Sequence, residues 1–234
     1  MAHGITPTTY PLSDNTGLVP TAYSCTPRAK SVSDAPDENG NVAARTYYGG
    51  SDTIKDCQIT LVLKSGTAPS SIVLGADTAT GVTRWVTSVE LATDNGQWPT
   101  YTINWKEGLT NVTGSKFTVA LPSVTPTKTA QKIGVGPAST VSATLKLTGS
   151  SATWSVDYAE QLDGHGEYAA SSFSNGTAES SANGVVISGD PEWTAESGWT
   201  IEDGGAPIEE TNTEYGTSSA KVSKFLVADA ASAA

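Results

Sequence analysis

Grouped carboxylates, two histidines and two cysteines are the residues of this sequence that could do chemistry. Asp157, Glu160 and Asp163 lie close together, as do Glu202, Asp203, Glu209 and Glu210. Two carboxylates facing each other across a sugar would suit glycoside hydrolysis. In a chain with 24 acidic and 13 basic residues, however, such groups arise from composition alone. His3 sits near the start and His165 between Gly164 and Gly166, where it reads as a turn residue. No Cys/His grouping has zinc spacing. A nucleophile needs a base beside it, and no Gly-x-Ser-x-Gly elbow or phosphate-cradling glycine loop occurs. Asp37-Glu38-Asn39-Gly40 resembles part of a calcium loop, but Ala35 and Thr46 would fall on its first and last ligand positions and offer no carboxylate. The expectation is a non-enzyme with no catalytic residues, no metal site and no cofactor.

The aromatic residues divide by context. Trp85, Tyr101, Ile103 and Trp105 lie at alternating strand positions and are expected to anchor one core. Phe173, Val185, Ile187 and Val222 are expected to anchor a second. Trp98, Trp193, Trp199 and Tyr215 flank polar turns, which leaves them as candidate surface-binding aromatics that could stack on sugar rings. Cys25 and Cys57 are the only cysteines. They permit one bridge, but two free thiols in a reducing compartment are the expectation. Asn111-Val112-Thr113 and Asn175-Gly176-Thr177 are glycosylation sequons, discounted because Met1 to Tyr10 has no signal-peptide pattern.

The elements that must position these residues read as strands. Apolar content is 37% and charged content 16%, both below globular averages of ~45–50% and ~25%. Ser, Thr, Ala and Gly fill the difference, which suits turn-rich sheets better than helices. Cys57–Leu63, Trp85–Leu91 and Thr100–Trp105 alternate with period two, and Asp94-Asn95-Gly96 forms the turn between the last two. Residues 1–30 carry Pro7, Pro11, Pro20 and Pro27 and read as an extended arm. Glu167–Gly176 matches Asn41–Gly50 at an offset of 126 positions, with Gly40, Ala43, Ala44 and Gly50 on Gly166, Ala169, Ala170 and Gly176. Ile59-Thr60-Leu61 falls on Val185-Val186-Ile187 at the same offset. The fold class expected is therefore all-β. Two tandem, diverged β-sandwich or barrel-like domains follow an extended N-terminal arm. The boundaries are 1–30 arm, 31–120 first domain, 121–137 linker, 138–227 second domain and 228–234 flexible tail.

The net charge of −11 leaves no basic patch, which excludes a free nucleic-acid binder. No apolar run approaches the ~18 residues of a membrane helix.

The order Asp37-Glu38-Asn39-Gly40-Asn41-Val42, Tyr47-Tyr48-Gly49-Gly50, Val86-Thr87-Ser88-Val89-Glu90 and Asp94-Asn95-Gly96-Gln97-Trp98-Pro99-Thr100 resembles small β-domain virion proteins of tailed phages and prophages. Thr200-Ile201-Glu202 and Glu210-Thr211-Asn212-Thr213-Glu214-Tyr215 echo it in the second half. The resemblance implies a structural protein of the virion, assembled in the host bacterial cytoplasm. It implies a tail tube subunit that forms rings with copies of itself, as a hexamer or a pseudo-hexameric trimer. It also implies contact with other virion proteins and DNA passing without sequence-specific contact. A head decoration protein, a tail adaptor and a carbohydrate-binding or adhesive β module are the alternatives.

Overall fold

The computed structural model describes residues 11–12, 17–28, 31–48, 51–77, 82–137, 145–164, 167–187, 193–204, 209–211 and 214–230. The chain is all-β, with strands in the order β1 Leu18–Arg28, β2 Ser31–Pro36, β3 Val42–Tyr48, β4 Ser51–Leu63, β5 Ser71–Gly75, β6 Arg84–Asp94, β7 Thr100–Glu107 and β8 Val112–Gly114. The order continues with β9 Lys116–Ala120, β10 Val135–Pro137, β11 Leu145–Leu162, β12 Tyr168–Val186, β13 Trp193–Ala195, β14 Thr200–Gly204, β15 Glu209–Thr211 and β16 Glu214–Phe225. Ten strands share one sheet, whose main path runs β1-β4-β7-β6-β11-β12-β16-β14. β15 joins beside β16, and β8 runs parallel to β12. Among the described residues, three further strand pairs lie outside this sheet: β2–β3, β5–β9 and β10–β13.

Period-two patterning explains the main sheet. On β7, Tyr101, Ile103 and Trp105 are buried, while Thr100, Thr102 and Asn104 alternate with them on the opposite face. Ile59, Leu61 and Leu63 do the same on β4. The β6–β7 turn forms where Asn-Gly predicts it. Gly96 holds φ at 86°, a left-handed value that suits glycine, and Gln97 N donates to Asp94 O at 3.2 Å.

The buried face of the sheet is covered by the two smaller pairs. Ile72 and Leu74 of β5 and Phe117 and Val119 of β9 join Ile59, Leu61, Val89, Leu91, Trp105 and Trp154 in one core. Val135 of β10 and Trp193 of β13 join Leu145, Ala182, Val186, Ala220 and Val222 in a second. The sheet passes from one half of the sequence to the other without a break, because β6 pairs with β11 from Ser88↔Ser155 to Asp94↔Gly149.

Residues 121–137, expected to link two domains, lie against this sheet. Leu121, Val124, Ile133 and Val135 are buried. The strap carries backbone groups into the interior, and those groups need partners. Thr93 Oγ1 donates to Gln131 O and accepts from Gln131 N, each at 2.9 Å. Ser150 Oγ and Ser180 Oγ both donate to Ile133 O. Thr93, Ser150 and Ser180 are buried, so their hydroxyls occupy inward positions that would otherwise be apolar. Close approach also explains the small residues inside β12: a Cβ on Gly176 would come within 2.7 Å of the Phe117 ring.

Several expectations change. Of the expected arm, Leu18–Arg28 is strand β1, paired with β4 along its length. The expected flexible tail is held as far as Asp229, whose carboxylate accepts from Thr118 N at 3.0 Å and Thr118 Oγ1 at 2.7 Å. Strand β11, central to the sheet, has no counterpart in the sequence reading. Val185 and Ile187 are not core anchors: Val186 faces inward opposite Leu145, so its neighbours face outward, and Ile187 is 50% exposed. The remaining expected anchors, Trp85, Tyr101, Ile103, Trp105, Phe173 and Val222, are all buried, but Phe173 lies in the first core rather than the second, because its stretch of β12 runs beside β8.

Candidate functional site

The two ends of the large sheet are its most conspicuous surfaces. β1 pairs with β4 on one side, β14 pairs with β16 on the other, and no other described strand pairs with either. An unpaired strand offers a row of N–H and C=O groups to another strand. On β1, Pro20 and Pro27 lack an N–H, and the register shifts next to both. They interrupt the row of N–H donors near each end of the strand. β1 is also lightly packed. Leu18 is buried, whereas Val19 is 40% and Tyr23 44% exposed.

A disulfide between Cys25 and Cys57 joins this edge strand to β4. The expectation of two free thiols is thereby corrected. The physical reason is register: the two residues stand directly opposite each other on antiparallel strands, with Cα atoms 4.0 Å apart. The bridge spans the sequence that holds β2 and β3, a hairpin that pairs with no other described strand. Its turn is fixed by Asp37, whose Oδ1 accepts from Asn39 N at 2.8 Å and Asn41 N at 2.9 Å. Glu107 lies close to both sulfurs, the three ligand atoms falling within 4.8 Å of one another. The bridge occupies both sulfurs, while Glu107 Oε1 accepts from Arg84 Nε at 3.1 Å and Trp105 Nε1 at 3.0 Å. That donor set is committed to structure.

Beside the edge lies an open cleft of about 480 Å³, lined by Ser24, Asp56, Gln58, Asn104, Lys106 and Tyr158 among others. Gln58 Nε2 donates to Asn104 Oδ1, and Asn104 Nδ2 donates to Ser88 Oγ, both at 2.9 Å. The amide ladder thus crosses β4, β7 and β6. Lys106 pairs with Asp56 and lies 4.3 Å from the Tyr158 ring centroid. The charges pair with each other, which leaves the cleft polar and close to neutral.

Among the described residues, the carboxylates grouped in the sequence are engaged in local contacts. Asp157 accepts from Asn175 Nδ2 at 3.0 Å, Glu160 from Tyr158 Oη at 2.8 Å and Asp163 from Glu167 N at 2.9 Å. Glu202 and Glu179 both pair with Lys221 on the exposed face. The Ser223 hydroxyl, followed by Lys221, holds Glu202 below the usual carboxylate range. The side chains of Asp203, Glu209 and Glu210 lie outside the described residues, as do His3, His165 and the Tyr215 side chain.

The candidate surface aromatics separate. Trp193 is a core residue, corrected from a surface position: β13 pairs with β10 over the sheet, and Trp193 Nε1 donates to Ser218 Oγ at 2.9 Å. Trp199 is half-buried against Trp154, with Lys224 Nζ 4.4 Å from its ring centroid. Burial there lowers the Lys224 pKa. Trp98 is half-buried under Lys128, 5.6 Å from its ring centroid. No open stacking platform results from these three. Sequence reasoning missed the amide ladder, because register alone brings Gln58, Asn104 and Ser88 into one row.

No family model matches this chain, and no curated protein matches it.

Proposed function

We propose that this chain is a self-assembling structural protein of a phage particle, a tail tube subunit that forms rings around a DNA channel. The observation that carries the reading is the ten-stranded sheet with open edges at β1 and β14. Edge-to-edge strand addition between copies would extend such a sheet around a ring. One face is buried under β5–β9 and β10–β13. The other carries a row of polar and acidic residues, Thr60, Thr102, Glu90, Thr153, Glu179 and Ser223, aligned across six strands. A polar, acidic wall suits a channel through which DNA slides without base-specific contact. The β2–β3 hairpin and the residues before β1 would make contacts between rings.

The finer architecture belongs to the same proposal. The chain would hold two diverged copies of a β unit, residues 31–120 and 138–227, joined edge to edge at β6 and β11. Two copies per chain would let a trimer take the place of a hexamer. The burial pattern at Val185–Ile187 asks for a one-residue slip relative to Ile59–Leu61 in that relationship.

Negative-stain microscopy of the purified protein across a concentration series tests the reading. Rings or stacked tubes are expected. Caps on added capsids, with no rings, would instead favour a head decoration protein. A strict monomer at high concentration that binds a glycan array would overturn self-assembly and favour an adhesive module.

A further inference from the structure

The Cys25–Cys57 bridge sits where it can decide which chain β1 belongs to. β1 is the terminal strand of the sheet, and β4 is its sole pairing partner among the described strands. Few of its side chains reach the core; Leu18 is buried, and Cys25 and Tyr23 contact its margin. β4 is the opposite kind of strand: Ile54, Cys57, Ile59, Leu61 and Leu63 are all buried. Once β1 left, β4 would stay in place and present an unpaired edge of regular, apolar-backed strand. Residues 29–50 separate the two strands, and the β2–β3 hairpin within them pairs with no other described strand. That connection could reach a neighbour without disturbing the sheet.

We propose that β1 is an exchangeable strand, that its partner surface is the β4 edge of a second copy of this chain, and that the Cys25–Cys57 bridge is the latch. The register that opposes Cys25 to Cys57 within one chain is recreated when β1 of one copy pairs with β4 of another. The same two residues then meet between chains. In the latched state the edge is closed. Reduction by a dithiol breaks the Sγ–Sγ bond through a mixed disulfide, delivers two electrons and two protons to the cysteines, and leaves the dithiol as its own disulfide. β1 is then held by one ladder and little burial, and it exchanges. Reoxidation by a small-molecule disulfide takes back two electrons and two protons, forms the Sγ–Sγ bond between Cys25 of one copy and Cys57 of another, and releases two small thiols. A linkage made in a reducing compartment would thus become covalent on exposure to an oxidising one. This inference does not rest on the virion reading: a chain with any other role would exchange β1 equally well.

The test uses the unmodified full-length chain in two isotopic forms. Equal amounts of natural-abundance and fully 15N-labelled protein are mixed at high concentration. One portion is treated with dithiothreitol and then reoxidised with oxidised glutathione; the other is left oxidised. Non-reducing proteolysis and mass spectrometry then read the peptide that joins Cys25 to Cys57. The expected result is a peptide with one light and one heavy half, present only after the reduction cycle and increasing with protein concentration. Recovery of light–light and heavy–heavy peptides alone would overturn exchange. Mixed peptide formed equally without reduction would overturn the latch. Ring formation, read separately by microscopy, is free to succeed or fail in either case.

Discussion

Buried polar atoms in this protein fall into two groups with opposite consequences. Tyr101 is fully buried, its hydroxyl finds no partner among the described residues, and burial raises its pKa well above the usual phenol value. Removing an unsatisfied polar atom relieves a desolvation cost. Tyr101→Phe should therefore leave stability unchanged or raise it by about 1 kcal/mol, read as the urea midpoint. A clear loss would reveal a hidden partner. Ser180 is the reverse case, because its hydroxyl satisfies the Ile133 carbonyl and also bonds Ser151 O at 2.8 Å. Ser150 Oγ and Val135 N still donate to Ile133 O in Ser180→Ala, so the change should cost only the net worth of the lost bonds, about 0.5–1.5 kcal/mol in the same assay, and a neutral result would show that the strap does not depend on it. Asp229 makes the C-terminal contact sensitive to acid. The Thr118 hydroxyl and then the Thr118 N–H hold its carboxyl below the ordinary 3.8. A depressed carboxyl stabilises docking above its unfolded pKa and loses that contribution as pH falls through the folded value. An NMR titration of the Thr118 amide should show a midpoint below 3.8. A midpoint at or above that value would contradict the contact.

Among the elements, β1 and β8 are held in contrasting ways. β1 depends on its bridge, which closes the loop between Cys25 and Cys57, a sequence separation of 32. The chain-entropy model gives such a closure about 3.5 kcal/mol, and burying one leucine contributes only about 1.5–3 kcal/mol. Reduction should lower the stability of the sheet edge by an amount of that order. Hydrogen exchange should show β1 amides losing protection while β7 and β6 amides keep theirs. Uniform loss across the sheet would mean that the edge does not open on its own. β8 is held by close backbone approach to β12. Gly114 holds φ at 102°, and a Cβ there would lie 2.0 Å from Phe173 O. Gly114→Ala should therefore destabilise the β8–β12 contact, through both the strained φ and the clash. Strands β4, β6 and β7 are legible in the sequence because large apolar residues alternate with polar ones. Strand β11 is legible only in part. Ala152, Trp154, Val156 and Tyr158 alternate with Thr153, Ser155 and Asp157, but Ser150 is inward and polar because its hydroxyl donates to Ile133 O of the strap. A pattern set by a covering segment distant in sequence has no local signature.

For the whole molecule, charge and edges act against each other. The net charge of −11 makes copies repel, whereas open strands favour association. Added salt should therefore promote assembly. Light scattering at fixed protein concentration should increase as the Debye length shrinks from ~30 Å at 0.01 M salt to ~8 Å at 0.15 M. Association weakened by salt would point to charge-paired interfaces instead. The polar face adds few apolar contacts of its own, so burial in any assembly would come from the edges and from exposed apolar side chains such as Val42, Leu162, Ile187, Phe225 and Val227.

Local pattern in the sequence is enough to show an all-β protein, to place β4, β6 and β7, to find the turn between β6 and β7, and to assign Trp85, Tyr101, Trp105 and Phe173 to cores. These are local properties: alternation, glycine conformation and side-chain size act over a few residues. That both halves share one sheet, that 121–137 lies across it, that Trp193 is interior, that Ile187 is exposed and that Cys25 meets Cys57 emerge from the folded arrangement alone. Each of these depends on register between strands distant in sequence. A shift of one residue reverses every side chain on a strand, and nothing in a single sequence fixes that shift until the partner strand is in place.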